Sequence, residues 1–443
     1  MLKLIPCLLL VCLFPIPADA QQSSASAAKT LAERWIVQLD FLGTPVNSSL
    51  NLIRDGNKVT GDFDGDKLEG TVTADRLHFL AKDEDGGQEE GTATLKGDAI
   101  SGTIIFRYSS NPSQPLTMPF TAALALPYPV TPPRHHEFTP TVFYRQFSPH
   151  NQPVLTVNPG DTIHTTTVDA GGSDEKGVAR VLGGNPETGP FYIQHAYPGD
   201  TLVIHLVRVR LNRNWALSDD FVVGRALTSE LAVKMKDGGK SVRWHLDTEQ
   251  GIATPEKPGE HLAHYSVPLK PMMGCIATTP RIASAAPGTG DSGGYGGNMD
   301  FNEIVEGATV YLPVNVTGAY LYIGDGHAAQ GDGELNGNAL ETSMDVEFTV
   351  DVVSGKSVPG PRVVSPSHVM AVGLGGSLED ALREATSNMA TWLTDDYQLT
   401  PSELAQVLGS AAEYKVSELA DRNVGIVLKI NRDRLKTLSS APK

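Results

Sequence analysis

Residues 324–334 read Gly-Asp-Gly-His-Ala-Ala-Gln-Gly-Asp-Gly-Glu, and residues 293–301 read Gly-Gly-Tyr-Gly-Gly-Asn-Met-Asp-Phe. Gly326, Gly331 and Gly333 permit turns that other residues would strain, and so gather Asp325, His327, Asp332 and Glu334 into a compact space. Imidazole among carboxylates is the ligand chemistry of a catalytic Zn²⁺ site, in which one coordination position stays open for water. The same carboxylates also suit a structural Ca²⁺ loop or a solvated acidic loop, and composition alone leaves these open. Other chemistry-bearing residues read as bland. Cys275 sits in the apolar run Met273-Gly274-Cys275-Ile276 and reads as a buried inert thiol. His261 and His264 have H-x-x-H spacing, but Pro258 and Pro268 flank them closely, which favours a surface turn. The glycine-rich 288–297 stretch lacks the Lys-Ser/Thr ending of a phosphate-binding loop.

Elements must carry these residues to one place. Two apolar strands, 308–314 and 319–323, lie between the glycine-rich segments, and a hairpin of the two would bring the segments to related ends of a sheet. Pro159-Gly160-Asp161-Thr162 and Pro198-Gly199-Asp200-Thr201 are twin turns, each preceding a strand. Residues 202–207 are apolar on both faces and read as an interior strand. Residues 344–352 alternate apolar and polar, a strand with one wet face. Helices are expected only near the end. Ser377-Leu378-Glu379-Asp380 is a cap followed by a stripe of Leu378, Leu382, Ala385, Met389 and Leu393. Thr400-Pro401-Ser402-Glu403 is a capping box with Pro at the first helical position. This pair reads as packing or oligomer elements, and a last strand, 425–430, closes the chain.

With 443 residues, 40% hydrophobic and 19% charged, the chain can bury a core, and two or three domains are expected. Thirty-five Lys and Arg against 51 Asp and Glu leave a net charge of −16, which argues against nucleic acid and anionic membranes as partners. Residues 1–20 read as a secretory leader, an apolar run too short to span a bilayer, so the protein is expected to be exported to a periplasm or secreted. Loss of the leader removes Cys7 and Cys12, leaving Cys275 alone and no intramolecular disulfide. Residues 21–124 show short apolar runs broken by Gly, Asp and Asn, with no helical stretch, the pattern of a small antiparallel barrel or sandwich acting as an accessory module. Residues 125–152 carry six prolines, a linker or an ordered arm. The whole is mainly β, of the α+β class: a β-sandwich-like domain over 153–443 with C-terminal helices, preceded by the smaller β module.

Several ordered blocks make the chain resemble the acetamidase/formamidase family of amide hydrolases. They are Pro159-Gly160-Asp161-Thr162 leading to Val168-Asp169-Ala170-Gly171, then Asn185-Pro186-Glu187-Thr188-Gly189-Pro190-Phe191-Tyr192 and Pro198-Gly199-Asp200-Thr201-Leu202. Met273-Gly274-Cys275-Ile276-Ala277, Gly296-Gly297-Asn298-Met299-Asp300 and Gly324 through Glu334 follow. The resemblance spans about 280 residues from Pro153 and leaves out the N-terminal module. It implies metal-dependent hydrolysis of a small neutral amide, with Zn²⁺ as the metal and Ca²⁺ as the alternative. Asp169, His327 and one of Asp325 or Glu334 would hold the ion. Glu334 would be the general base, Asn298 or backbone N–H groups near Gly296-Gly297 would steady the oxyanion, and Gln330 and Asp300 would orient the other groups. Apolar sheet and helix faces make a homo-oligomer plausible. One departure stands out: Gln194-His195 replaces the family's usual Glu-Gly pair, which motivates an alternative, an exported binding protein or a Ca²⁺-stabilised protein that keeps the scaffold without turnover.

Overall fold

The computed structural model describes residues 31–126, 131–235, 238–281 and 286–438. The expected leader over 1–20 and residues 21–30 behind it lie outside the described residues. The N-terminal module is a closed eight-stranded antiparallel barrel in simple up-and-down order. Its first strand, Leu31–Phe41, pairs with both Thr44–Asp55 and Leu116–Leu124, which closes the cylinder and removes every sheet edge. Alternation along each strand aims Val37, Leu50, Leu52, Phe79, Ile100 and Ile104 inward, and these side chains fill the interior. At Gly91 a Cβ would lie 2.2 Å from the Phe79 ring, so the bulky aromatic is matched by a missing side chain across the sheet.

The larger part of the chain packs a twelve-stranded sheet against a nine-stranded one, with the main core between them. Ile204, Val310, Phe348 and Ile163 come from the smaller sheet, and Phe191, Ile276 and Ile323 from the larger. This is the mostly β, sandwich-like architecture expected from the sequence, with helices at the C-terminus. Several local expectations need correction. The strand Thr201–Leu211 buries Leu202, Ile204 and Leu206, but Val207 is exposed, so only one face is interior. Residues 308–314 and 319–323 do not form a hairpin. Thr309–Pro313 belongs to the nine-stranded sheet and Leu321–His327 to the other, so the chain crosses the sandwich between them. A short helix, Ser229–Lys234, also precedes the two expected helices.

In the proline-rich arm, His135–Glu137 pairs with Thr162–Thr166, and Phe143–Tyr144 with Glu187–Ile193. The twin turns bury Asp161 and Asp200, each fully enclosed and each given a cation from outside the core. Asp161 accepts from Arg134 and lies 2.9 Å from His136 of the arm. Asp200 pairs with Arg34 of the barrel and accepts from the amides of Tyr197 and Gly355. Arg281 makes the reciprocal contact, donating to the Asn47 carbonyl and pairing with Asp64 of the barrel.

The helices Leu378–Tyr397 and Pro401–Ala411 start at the expected caps. Ser377 accepts from the Asp380 amide, and Thr400 and Glu403 form the reciprocal capping box. The buried stripe of the first helix is Ala381, Ala385, Met389 and Leu393, while Leu378 and Leu382 are exposed. The helix lies so close to the strand His368–Gly375 that a Cβ on Gly373 would sit 2.0 Å from the Ala381 carbonyl. Only alanines fit that contact, so the larger leucines are turned outward.

Candidate metal centre

The strand Met272–Ala277 organises the site by lying between Gly296–Asn298 on one side and Leu321–His327 on the other. It, and not a hairpin, is what brings the two glycine-rich segments together. Asp325 and His327 sit within strand Leu321–His327 and are buried. Of the three glycines expected to turn the 324–334 segment, only Gly333 has a positive φ, 83°. The left-handed positions fall instead on the carboxylates: Asp300 at φ 41°, Asp325 at 52° and Glu334 at 47°. Such conformations cost about 1–3 kcal/mol each and persist where surrounding structure imposes them. Gly274 makes the room. A Cβ there would lie 2.5 Å from both Asp300 Oδ1 and Asp325 Oδ2, so the cradle exists because this residue lacks one.

His327 is fully buried, and its ring is fixed by Gln330. The Gln330 amide nitrogen donates to the Asp300 and Ser417 carbonyls, which turns its Oε1 toward His327 Nδ1, 2.8 Å away. A proton therefore resides on Nδ1, which leaves Nε2 as the ring nitrogen that a cation would meet. Around Nε2 stand Glu341 Oε1 at 3.2 Å, Asp325 Oδ2 at 3.4 Å and Asp300 Oδ1 at 3.9 Å.

Among the described residues, three groups of ligand atoms converge to within 4.8 Å of one another: Asp300, His327 and Glu334; Asp325, His327 and Glu341; and Asp300, Glu418 and Asp421. His327 belongs to two and Asp300 to two, so these are neighbouring parts of one centre. Burial, aided by the Glu334 and Asp325 charges, drives the Asp300 carboxyl well above its usual range. Burial likewise drives Glu334 well up, and raises Glu341 and Glu418 to about 8 and Asp421 to about 6. Burial alone would depress His327, but the Glu341 and Asp325 carboxylates override it and hold the imidazole well above its ordinary value. His327 Nε2, Asp300 Oδ1, Asp325 Oδ1, Glu341 Oε2 and Glu418 Oε1 are buried with no hydrogen-bond partner. Carboxylates buried this way are expensive unless a cation shares them. The donor set, with its orphaned buried atoms, thus fits a divalent cation.

The sequence-derived site residues divide accordingly. Asp300, Asp325, His327 and Glu334 are brought together, and Gln330 stands behind the imidazole. Asp300 was expected only as an orienting group, yet its carboxylate lies among the converging ligand atoms. Asn298 differs from expectation as well: its Nδ2 donates to both Asp300 and Asp421, leaving no hydrogen for an oxyanion. Asp169 is outside all three groups and is paired with Arg213 at 2.7 Å. Asp332 is exposed, bonded to Asn302 and Lys415. Sequence reading missed Glu341, Glu418 and Asp421, which lie in no glycine-rich run. It passed over Glu187 too, although that residue stands in a quoted block. Glu187 is fully buried and its carboxyl is held well above normal by burial and by Asp325. Gln194 is exposed, and His195 lines a cleft with Arg34 at the barrel seam, so this departure does not fall in the ligand groups.

Comparison with known proteins bears on the same segment. Residues 242–371 match the model of the Acetamidase/Formamidase family. The matched stretch contains Asp300, Asp325, His327, Glu334 and Glu341 and excludes Glu418 and Asp421. An acetamidase of Mycolicibacterium smegmatis is 41% identical over 61 residues, 14% of this chain and 15% of that protein. A candidate formamidase of Schizosaccharomyces pombe is 27% identical, covering 34% of this chain and 47% of that one. The chain therefore matches less than half the length of these curated relatives. The crystal structure of a predicted acetamidase/formamidase from Thermoanaerobacter tengcongensis superposes with a TM-score of 0.60 at 26% identity, covering 69% of this chain and 99% of that one. The N-terminal barrel is an extra module beside the sandwich.

Proposed function

We propose that this protein is a divalent-cation-dependent hydrolase of small neutral amides, releasing ammonia or an amine. The observation that carries the reading is the buried His327 centre, with its orphaned ligand atoms, inside the segment that matches amide hydrolases. One imidazole among carboxylates suits Zn²⁺, while the oxygen-only group of Asp300, Glu418 and Asp421 suits a hard ion such as Ca²⁺. A bound Zn²⁺ would supply a water of pKa about 7 and a Lewis acid for the amide carbonyl.

The chain's own residues do the rest. Gln330 Oε1 keeps the proton on His327 Nδ1, so Nε2 remains a donor of electrons. Glu334, whose burial raises its proton affinity, takes the proton of the attacking water on its carboxylate and returns it to the departing nitrogen. Asn298 holds Asp300 and Asp421 in register by donating to both. Near-complete enclosure of the centre keeps bulk water from competing at the carbonyl. The exposed position of Gln194 supports retained turnover over the non-catalytic alternative, because that substitution leaves the centre's ligands intact.

Ammonia release from formamide, acetamide and longer aliphatic amides tests the reading directly. The wild type is expected to turn over at least one of them, to stop when a chelator is added, and to recover with Zn²⁺. His327→Ala is expected to be inactive. Turnover unaffected by both the chelator and the substitution would overturn the reading, and ligand binding without ammonia release would favour the non-catalytic one.

A further inference from the structure

We infer that Arg213 and Asp169 form a buried positioning pair that fixes Glu341 in the cation centre, with Asp169 acting through Arg213 and not as a ligand. The inference rests on reading the centre as a cation site. Glu341 comes from a strand of only two residues, Glu341–Thr342, which pairs with Gly326 and His327 on one side and Leu217 on the other. So short a strand cannot hold a carboxylate in place by its ladder alone. Arg213 supplies the missing restraint. Its side chain is 2% exposed and donates to five acceptors from three segments. Nε reaches Thr342 Oγ1 at 2.8 Å and the Trp215 carbonyl at 3.1 Å. Nη2 reaches Asp169 Oδ2 at 2.7 Å and the Glu341 carbonyl at 3.3 Å, and Nη1 reaches the Asp174 carbonyl at 3.3 Å.

The plane of the fork is set as well. Arg213 lies 3.5 Å from the centroid of the Trp215 ring, which Arg243 also contacts at 4.1 Å. Asp169 neutralises the buried cation and ties it to the 169–174 loop, because its other oxygen accepts from the Ser173 amide at 2.8 Å. Both oxygens of Asp169 are thereby engaged, whereas Asp300, Asp325 and Glu341 each retain an orphaned one. That difference separates a ligand from a support. Lysine cannot reproduce a five-donor planar fork, so Arg213→Lys removes the restraint while keeping the charge.

Zn²⁺ affinity of the full chain, measured by competition with a chromophoric chelator, provides the test. Arg213→Lys and Glu341→Gln are each expected to weaken binding by roughly 10- to 100-fold. The double variant is expected to be within about threefold of Glu341→Gln alone, since both changes act through one carboxylate. Asp169→Asn is expected to follow Arg213→Lys in the same cycle. Multiplying effects in the double variant would overturn the inference. So would a lowered Tm for Arg213→Lys with Zn²⁺ affinity unchanged, which is what a merely structural residue gives. A further tenfold loss on adding Asp169→Asn to Glu341→Gln would make Asp169 a ligand and equally overturn it. Absence of Zn²⁺ binding by the wild type would instead sink the cation-centre reading, and this inference with it.

Discussion

At the scale of single residues, the centre depends as much on missing atoms as on ligands. Gly274 has no positive φ, so its backbone does not demand glycine, yet an alanine Cβ there would come within 2.5 Å of two carboxylate oxygens. Gly274→Ala is therefore expected to keep the fold, at a cost of about 1–3 kcal/mol, and to weaken divalent-cation binding by about 100-fold. Thermal melting and cation competition on the same sample check both halves, and unchanged affinity would contradict the cradle. The sequence made Asp325, His327 and Glu334 visible because they share a glycine-rich run with a distinctive order of side chains. Glu341 was invisible because nothing near it in sequence marks it, and it meets His327 only by pairing across two strands. Asp169 illustrates a related point. A motif shows an acidic residue, but it does not show the arginine that already occupies it.

At the scale of elements, close packing explains both a success and an error of sequence reading. Helix caps are local chemistry, and Ser377 and Thr400 stand where the sequence puts them. The buried face of the helix is decided by its neighbour, because Gly373 admits the helix backbone to van der Waals distance and leaves space only for Ala381 and Ala385. Gly373→Ala would place its Cβ 2.0 Å from a carbonyl oxygen and is expected to cost about 3 kcal/mol. Chemical denaturation measures it, and a change below about 0.5 kcal/mol would contradict the packing account. The C-terminal strands do more than close the chain. Between Glu413–Glu418 and Val424–Asn431 the chain carries Asp421, and with Glu418 it reaches Asp300. Sequence periodicity identified the last strand but gave no sign that its connection completes the centre.

At the scale of the whole molecule, the centre is a store of protons until a cation displaces them. Burial raises Glu341 and Glu418 from 4.5 to about 8, so between those values the folded chain binds protons that the unfolded chain releases. Their stabilising contribution is complete below pH 4.5 and is lost as pH rises through about 8. Chelator-treated protein is thus expected to melt several degrees lower at pH 9 than at pH 6, and added Zn²⁺ is expected to raise Tm more at pH 9. A melting temperature independent of pH and of Zn²⁺ would contradict this. The barrel and its closure were only partly legible, since hairpin signals identify neighbours in sequence but not the pairing of the first strand with the last. The seam was not legible at all. Arg34 and Asp200 are 166 residues apart, and only the fold shows that the barrel neutralises a buried turn of the core. The most direct test of the central claim is calorimetric titration of chelator-treated protein with Zn²⁺ in buffers of different ionisation enthalpy. Tight binding with net proton release, abolished in His327→Ala, is the expected result. Weak binding, or equally tight binding in that variant, would contradict the account.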